Sequence, residues 1–151
     1  MEQLKLYINE LETQIKNKQI TNAAITKSSV GWQIDHCLIV INGIVNQLKK
    51  SNANEFSPKF NFKRWVVFTT KHIPRGKARA PKTVNPEVEA TTEELLEKIS
   101  LAKNNIATFD TLEKNNFFAH PYFGNLNVPQ TKKFLTIHTF HHLKIIRDLV
   151  R

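Results

Sequence analysis

The sequence predicts an all-α domain, a helix bundle whose second and third helices are joined by a long connection. Four stretches carry apolar residues at steps of three and four, the spacing of amphipathic helices. Four glycines and six prolines are too few for the many turns of an all-β chain. With 151 residues, 40% of them apolar, one packed core is expected, so we predict a single domain over residues 1–151.

The first two helices are predicted over residues 2–18 and 31–50. An amphipathic stripe runs along the first, whereas the second is apolar almost all round. Ser28 and Ser29 precede the second helix and are suitable capping residues, because a serine hydroxyl can accept from the first free backbone N–H groups.

The last two helices are predicted over residues 92–114 and 129–150. The run Thr91-Thr92-Glu93-Glu94 is close to a capping box at the start of the third helix. Pro129 stands at or near the first position of the fourth, where a missing N–H costs nothing. Four helices with one long crossover favour a bundle.

Two irregular segments separate these helices. The long connection, residues 51–90, holds four prolines and a short apolar run, residues 65–68, that is an extra helix or a turn. The second irregular segment, residues 115–128, contains His120-Pro121-Tyr122-Phe123-Gly124.

Several classes of protein are excluded. A single cysteine, Cys37, allows neither an intrachain disulfide framework nor a Cys-rich zinc ribbon. The first residues lack a signal-peptide pattern, and the longest apolar run falls far short of the roughly 18 residues of a membrane span. We therefore expect a soluble, cytoplasmic protein with no membrane contact.

The positive charge is concentrated in one segment, residues 59–82. The chain has 22 basic and 13 acidic residues, a net charge of +9, and eight of the basic residues but no acidic one fall in this segment. Its candidate anion-binding residues are Lys63, Arg64, Arg75 and Arg79.

Three interpretations of the basic segment stay open. Aromatic residues interleaved with Lys and Arg, beginning with Phe60 and Phe62, are typical of surfaces that bind nucleic acid or another polyanion. Alternatively, the aromatic rings pack on the bundle while the charges stay in water. The segment could also cover a functional site and attract an anionic substrate or thiol.

Two histidines share the apolar face of the fourth predicted helix. His138 and His142 are one turn apart, about 40° from each other on a helical wheel. At that spacing both rings can reach one metal ion. The alternative is a pair of hydrogen-bonded core histidines.

A third ligand is expected from a facing helix, because bundle sites are built from facing helices. His36 projects from a largely apolar side of the second helix, and Gly43, two turns further on, leaves open space beside it. Cys37 points about 100° away and is predicted to pack in the core. Trp32, His120 and His141 are candidates to line the pocket or to hold the ligand rings in place, with a structural loop role as the alternative for His120.

These residues resemble elements of the DinB/YfiT-like superfamily. The run Trp32-Gln33-Ile34-Asp35-His36 looks like its Trp-x-x-x-His element, and His138-Thr139-Phe140-His141-His142 is similar to its His-x-x-x-His element. The segment 120–124, followed by a His-Thr-x-His-His-Leu pattern, resembles an uncharacterised branch more closely still.

The resemblance implies an up-down-down-up four-helix bundle with a divalent metal held by His36, His138 and His142. It also implies a homodimer, and an activity that joins a low-molecular-weight thiol to a small-molecule electrophile; one group of the superfamily is a thiol-dependent isomerase. One departure is Leu143-Lys144-Ile145, where an Arg-Gly-Gln-like run often follows the last ligand.

Three histidine ligands would leave open coordination positions, as catalytic sites do, and suit zinc, nickel or iron. Such a site can hold a thiol as thiolate or activate water, so a thiol S-transferase and a hydrolase are both open. A non-enzymatic module that binds a polyanion or nucleic acid through residues 59–82, and a structural bundle with core histidines, are the alternatives.

Overall fold

The computed structural model describes residues 1–76, 84–86 and 88–151. Within these ranges it contains five α-helices and one two-stranded antiparallel sheet. The helices are α1 (Glu2–Thr13), α2 (Val30–Lys50), α3 (Phe62–Thr70), α4 (Thr92–Ala107) and α5 (Val128–Leu149). The strands are β1 (Phe117–His120) and β2 (Gly124–Asn127).

Side-chain caps define the starts of the three longest helices. Ser29 accepts from the Trp32 backbone at 3.0 Å and begins α2. Thr91 and Glu94 form the complete capping box of α4. Asn127 and Gln130 form a second capping box at α5, which the sequence pattern did not show us, and Pro129 lies in its first turn as predicted.

Two predicted helices are too long at their C-terminal ends. α1 stops at Thr13, and residues 15–17 form a short 3-10 helix that still buries Ile15. α4 stops at Ala107 and is followed by a 3-10 helix over residues 108–111, which buries Phe109. In both places the apolar spacing continues past the last α-helical turn, because a tighter helix can also direct such side chains to the core.

The second irregular segment is a β-hairpin, which the prediction missed. His120 pairs with Gly124, so three residues form the loop, and Gly124 has φ +69°. That left-handed backbone suits glycine, because a side chain there would be strained. The motif His120–Gly124 is therefore first of all a turn.

α1 and α2 each pack against both α4 and α5, and the four helices share one hydrophobic core. The hairpin contacts α5 and α2 and adds Phe118, Phe123 and Leu126 to this core, whereas α3 packs against it from outside. This packing confirms a mainly helical fold. No helix in the described ranges has the length and apolar character needed to cross a membrane.

Candidate metal centre

Three histidines from α2 and α5 converge between the two helices. One ligand nitrogen from each of His36, His138 and His142 lies within 4.8 Å of the others. His36 Nε2 and His138 Nε2 are 3.2 Å apart. Two nitrogens bound tetrahedrally to one zinc ion at about 2.0–2.1 Å lie about 3.3 Å apart, so this separation already suits a shared ion.

Two of these rings are oriented by hydrogen bonds to neutral acceptors. His36 Nδ1 donates to the Val84 carbonyl oxygen at 2.7 Å, and His142 Nδ1 donates to Gln33 Oε1 at 2.6 Å. Since each Nδ1 carries the proton of a neutral ring, each Nε2 is left with a free lone pair. Metal-ligating histidines are held by acceptors of this kind.

His138, the third histidine of the cluster, has no such acceptor at its Nδ1 within the described part of the chain. Its Nδ1 is buried and has no hydrogen-bond partner among the described residues. Its ring contacts both partners, with centroids 5.1 Å from His36 and 4.6 Å from His142. The Nε2 atoms of His36 and His142 thus each have a lone pair, and His138 has a single N–H proton to offer the two of them. A metal ion, which accepts electron pairs, would fit among the three rings.

Burial keeps the three imidazoles neutral. Desolvation lowers the pKa of His36, and it lowers the pKa values of His138 and His142 well below their usual range. Each ring would also repel a proton on its neighbours, which lowers the pKa values of His138 and His142 further. Because only the unprotonated nitrogen binds a metal, these shifts favour ligation near neutral pH.

The cluster lies on the wall of a cavity of about 360 Å³. Trp32 stacks on His36 with centroids 5.1 Å apart and an angle of 8°. Gly43 also lines the cavity, and a Cβ atom there would meet nothing within 4 Å, which confirms the predicted open space. Cys37 is fully buried, as predicted for core packing, and burial raises the pKa of its thiol.

His120 and His141 line the same cavity. His120 Nδ1 accepts from the backbone N–H groups of Tyr122 and Phe123 at 3.1 and 3.2 Å. His141 meets His142 edge to face and hydrogen-bonds the Ile73 backbone. Burial lowers the pKa of each to about 4, so both are neutral at pH 7.

The predicted anion-binding residues have different surroundings. Arg64 donates to the carbonyl oxygens of Lys59, Phe123 and Asn125, which ties α3 to the hairpin. Arg75 pairs with Asp148 at 2.7 Å. Lys63 is exposed, and Arg79 falls outside the described residues. An anion-binding role for this set remains a prediction.

The aromatic residues of the basic segment divide into two groups. Phe68 packs against the core and meets the Phe123 ring edge to face. Phe60, Phe62 and Trp65 are exposed by 79%, 64% and 54%. Packing on the bundle therefore accounts for Phe68 and not for these three.

Sequence reasoning missed the two acceptors that orient the ligands. Gln33 is 3% exposed and lies on the same broad face of α2 as His36, so a polar residue inside an apolar arc was the available signal. Val84 contributes a backbone carbonyl, which leaves no mark in the sequence.

The fold and the cluster define a helical protein with a three-histidine centre of metal-binding geometry. The family model of the DinB superfamily matches residues 11–146, and the chain belongs to this superfamily. Searches of curated proteins and of solved structures gave no significant match.

Proposed function

We propose that the protein binds one divalent metal ion, zinc, nickel or iron, through His36, His138 and His142, and uses it in catalysis. The observation that best supports this proposal is the pair of hydrogen bonds that His36 Nδ1 donates to Val84 and His142 Nδ1 donates to Gln33. These bonds direct two Nε2 lone pairs toward the cluster. If these histidines only filled the core, each Nε2 lone pair would need a hydrogen-bond donor. Among the described residues, only the His138 ring adjoins both His36 and His142.

The chain's own residues bind and orient in this proposal. Val84, Gln33 and the Trp32 stack hold the rings, and the cavity gives a small molecule space beside them. A bound divalent ion would supply positive charge that lowers the pKa of a thiol or of water. For the reaction we favour transfer of a low-molecular-weight thiol to an electrophile, in line with the superfamily resemblance. Hydrolysis is the alternative that the same donors permit.

Further parts of the proposal come from the resemblance or from the sequence alone. The resemblance implies the up-down-down-up order of a four-helix bundle and a homodimer. Composition and the lack of signal or membrane patterns indicate a single domain over residues 1–151 and a cytoplasmic location. Sedimentation of the purified protein tests the dimer directly, since a single species of 17.5 kDa would contradict it.

Elemental analysis of untagged protein tests the metal site. We expect close to one equivalent of a transition metal in the wild type and none in His138→Ala. His72→Ala is the matched control, because His72 is exposed and stands outside the cluster. An equal metal content in wild type and His138→Ala, or no metal and no thermal shift with added zinc, nickel or iron, would contradict the proposal.

The reaction is tested with metal-loaded protein, glutathione and 1-chloro-2,4-dinitrobenzene. In this transfer the thiol sulfur bonds to the ring carbon, chloride leaves with its bonding electrons, and the thiol proton passes to solvent. Thiol consumption that needs both the metal and His138 supports transfer. Ester cleavage with the same two requirements, without thiol consumption, supports hydrolysis.

Polyanion binding through residues 59–82 is a second candidate, favoured by the exposure of Phe60, Phe62 and Trp65. Stacking and phosphate contacts together predict binding of a single-stranded oligonucleotide that weakens steeply with salt. The paired change Phe62→Ser and Trp65→Ser should abolish it and leave the metal content unchanged. Binding that survives this change would contradict the candidate.

A further inference from the structure

His120 lines the cavity beside the histidine cluster and carries a fixed hydrogen-bond donor. Its Nδ1 accepts from two backbone N–H groups, so that nitrogen cannot carry the proton of a neutral ring. The proton is therefore on Nε2. Nε2 has no hydrogen-bond partner among the described residues, yet it is not one of their fully buried unpaired atoms, so it remains accessible to a ligand.

The His120 ring is held rigidly in this orientation. It stacks on Phe123 with centroids 4.3 Å apart and an angle of 10°, and Phe134 meets it edge to face at 4.7 Å. Phe134 also contacts His138 at 5.4 Å. His120 and His138 both line the cavity, and the Phe134 ring contacts each of them, so one small molecule in the cavity can lie against both.

The described part of the cavity wall carries no charged side chain. Among its described residues are histidines, aromatic and aliphatic side chains and the Gln47 amide, but no lysine, arginine, aspartate or glutamate. Gln47 is exposed, whereas His120 is partly buried and has its tautomer imposed by the turn. A volume of about 360 Å³ is in the range of small-molecule sites.

We propose that the cavity selects a neutral small molecule with an aromatic or aliphatic body and one acceptor oxygen, and that His120 Nε2–H binds this oxygen. The role of that molecule as the electrophilic substrate rests on the proposed function. The donor itself does not, because the turn imposes its tautomer with or without a metal. In the transfer reaction the bond would hold the carbonyl or epoxide oxygen of the electrophile while its carbon faces the metal centre.

Three neutral or charged probes of similar shape test this inference: acetophenone, α-methylstyrene and benzoate. α-Methylstyrene replaces the carbonyl oxygen of acetophenone by a methylene group, and benzoate adds a negative charge. Dissociation constants are measured by NMR titration in chelator-treated protein, so that no probe can bind a metal. We expect wild type to bind acetophenone about fivefold more tightly than α-methylstyrene, the size of one net hydrogen bond, and benzoate more weakly than acetophenone.

His120→Asn is the decisive variant. Its side-chain oxygen can still accept from the turn N–H groups, as asparagine does in Asx turns, but it has no donor at the position of Nε2. We expect the preference for acetophenone to disappear in His120→Asn and to persist in His72→Asn, with circular dichroism confirming the fold of each. A preference that persists in His120→Asn, or tighter binding of benzoate in wild type, overturns the inference.

The tautomer has its own readout, which does not depend on any ligand. Long-range ¹H–¹⁵N correlation of the imidazole nitrogens should show the His120 proton on Nε2. A proton on Nδ1 would overturn the inference, whatever the metal analysis gives. Conversely, absent metal with intact discrimination between the probes would overturn only the metalloenzyme proposal.

Discussion

Helix α2 buries polar side chains on two faces. On one face their donors and acceptors are paired, whereas on the other they are not. On the face toward α4, Lys98 Nζ lies 2.6 Å from Asp35 Oδ1. Asn42 donates to the Lys98 carbonyl oxygen and accepts from Asn105, which in turn accepts from Lys49. Donors and acceptors match, so this network is closed.

On the face toward α5, the histidines are not matched in this way. Val84 and Gln33 accept the Nδ1 protons, His36 Nε2 lies 3.2 Å from His138 Nε2, and one nitrogen of each of the three rings lies within 4.8 Å of the others. Buried polar atoms normally have partners, because an unpaired one costs about 1–3 kcal/mol. Burial of polar groups alone therefore does not mark a functional site. The functional site is marked instead by buried lone pairs that converge without enough hydrogen-bond donors to pair with them.

The largest expected effect is the stabilisation of the folded protein by added metal, which should depend on the histidines of the face toward α5. Adding zinc at 100 times its dissociation constant should stabilise the wild type by about 2.7 kcal/mol, or roughly 5–10 °C in Tm for a chain of this length. His138→Ala should lose this shift, because two imidazoles do not make the site. Differential scanning calorimetry with and without zinc measures it. An undiminished shift in His138→Ala would show that zinc binds elsewhere.

A smaller effect is expected from Gln33, which orients His142 without binding the ion. Gln33→Ala should weaken metal binding about 10–100-fold, the usual cost of losing such a partner. Gln33→Glu keeps an acceptor and should bind at least as tightly as wild type. Competition with a chelator of known affinity measures both. Equal affinities in all three proteins would mean that the bond from His142 plays no part in ligation.

Asn105→Ala probes the closed face. Asn105 is 3% exposed, and its loss leaves the buried Asn42 oxygen without its donor. We expect the free energy of unfolding to fall by about 1–3 kcal/mol in urea, with metal content unchanged. A loss of metal in this variant would break the separation between the two faces.

The smallest effect is the change that His141 makes, per pH unit, in the stability of the metal-free protein. The pKa of His141 is lowered to about 4 in the folded state, against an ordinary value of 6.5. The unfolded chain therefore binds the proton more readily between pH 6.5 and pH 4, and stability is lost as the pH falls through this window. Below pH 4 the loss from this group is complete.

Urea unfolding from pH 7 to pH 5 checks this effect. His141→Gln should lower the steepness of the decline by at most about 1.4 kcal/mol per pH unit, the limit for one proton. His72→Gln serves as the control, because His72 is exposed. Identical pH profiles for wild type and His141→Gln would contradict the assignment.

Local patterns predicted most of the helices and the three histidines that the structure brings together. The apolar periodicity placed α2 and α5 within one residue of their observed starts, and the same wheels placed His36, His138 and His142 on inward faces. These features depend on spacing along one helix, which the chain itself determines. The ends of α1 and α4 were misplaced because a 3-10 turn buries the same apolar residues as an α-helical one.

The sequence by itself determined that this chain is mainly helical and that three histidines lie on the apolar sides of two helices. Only the tertiary structure decided how those histidines are held. The Val84 carbonyl lies 48 residues from His36 along the chain, and Gln33 lies 109 residues from His142. The hairpin turn likewise sets the proton of His120 through backbone N–H groups. Backbone atoms carry no sequence signature, and a hydrogen bond between distant segments forms only once the helices have packed.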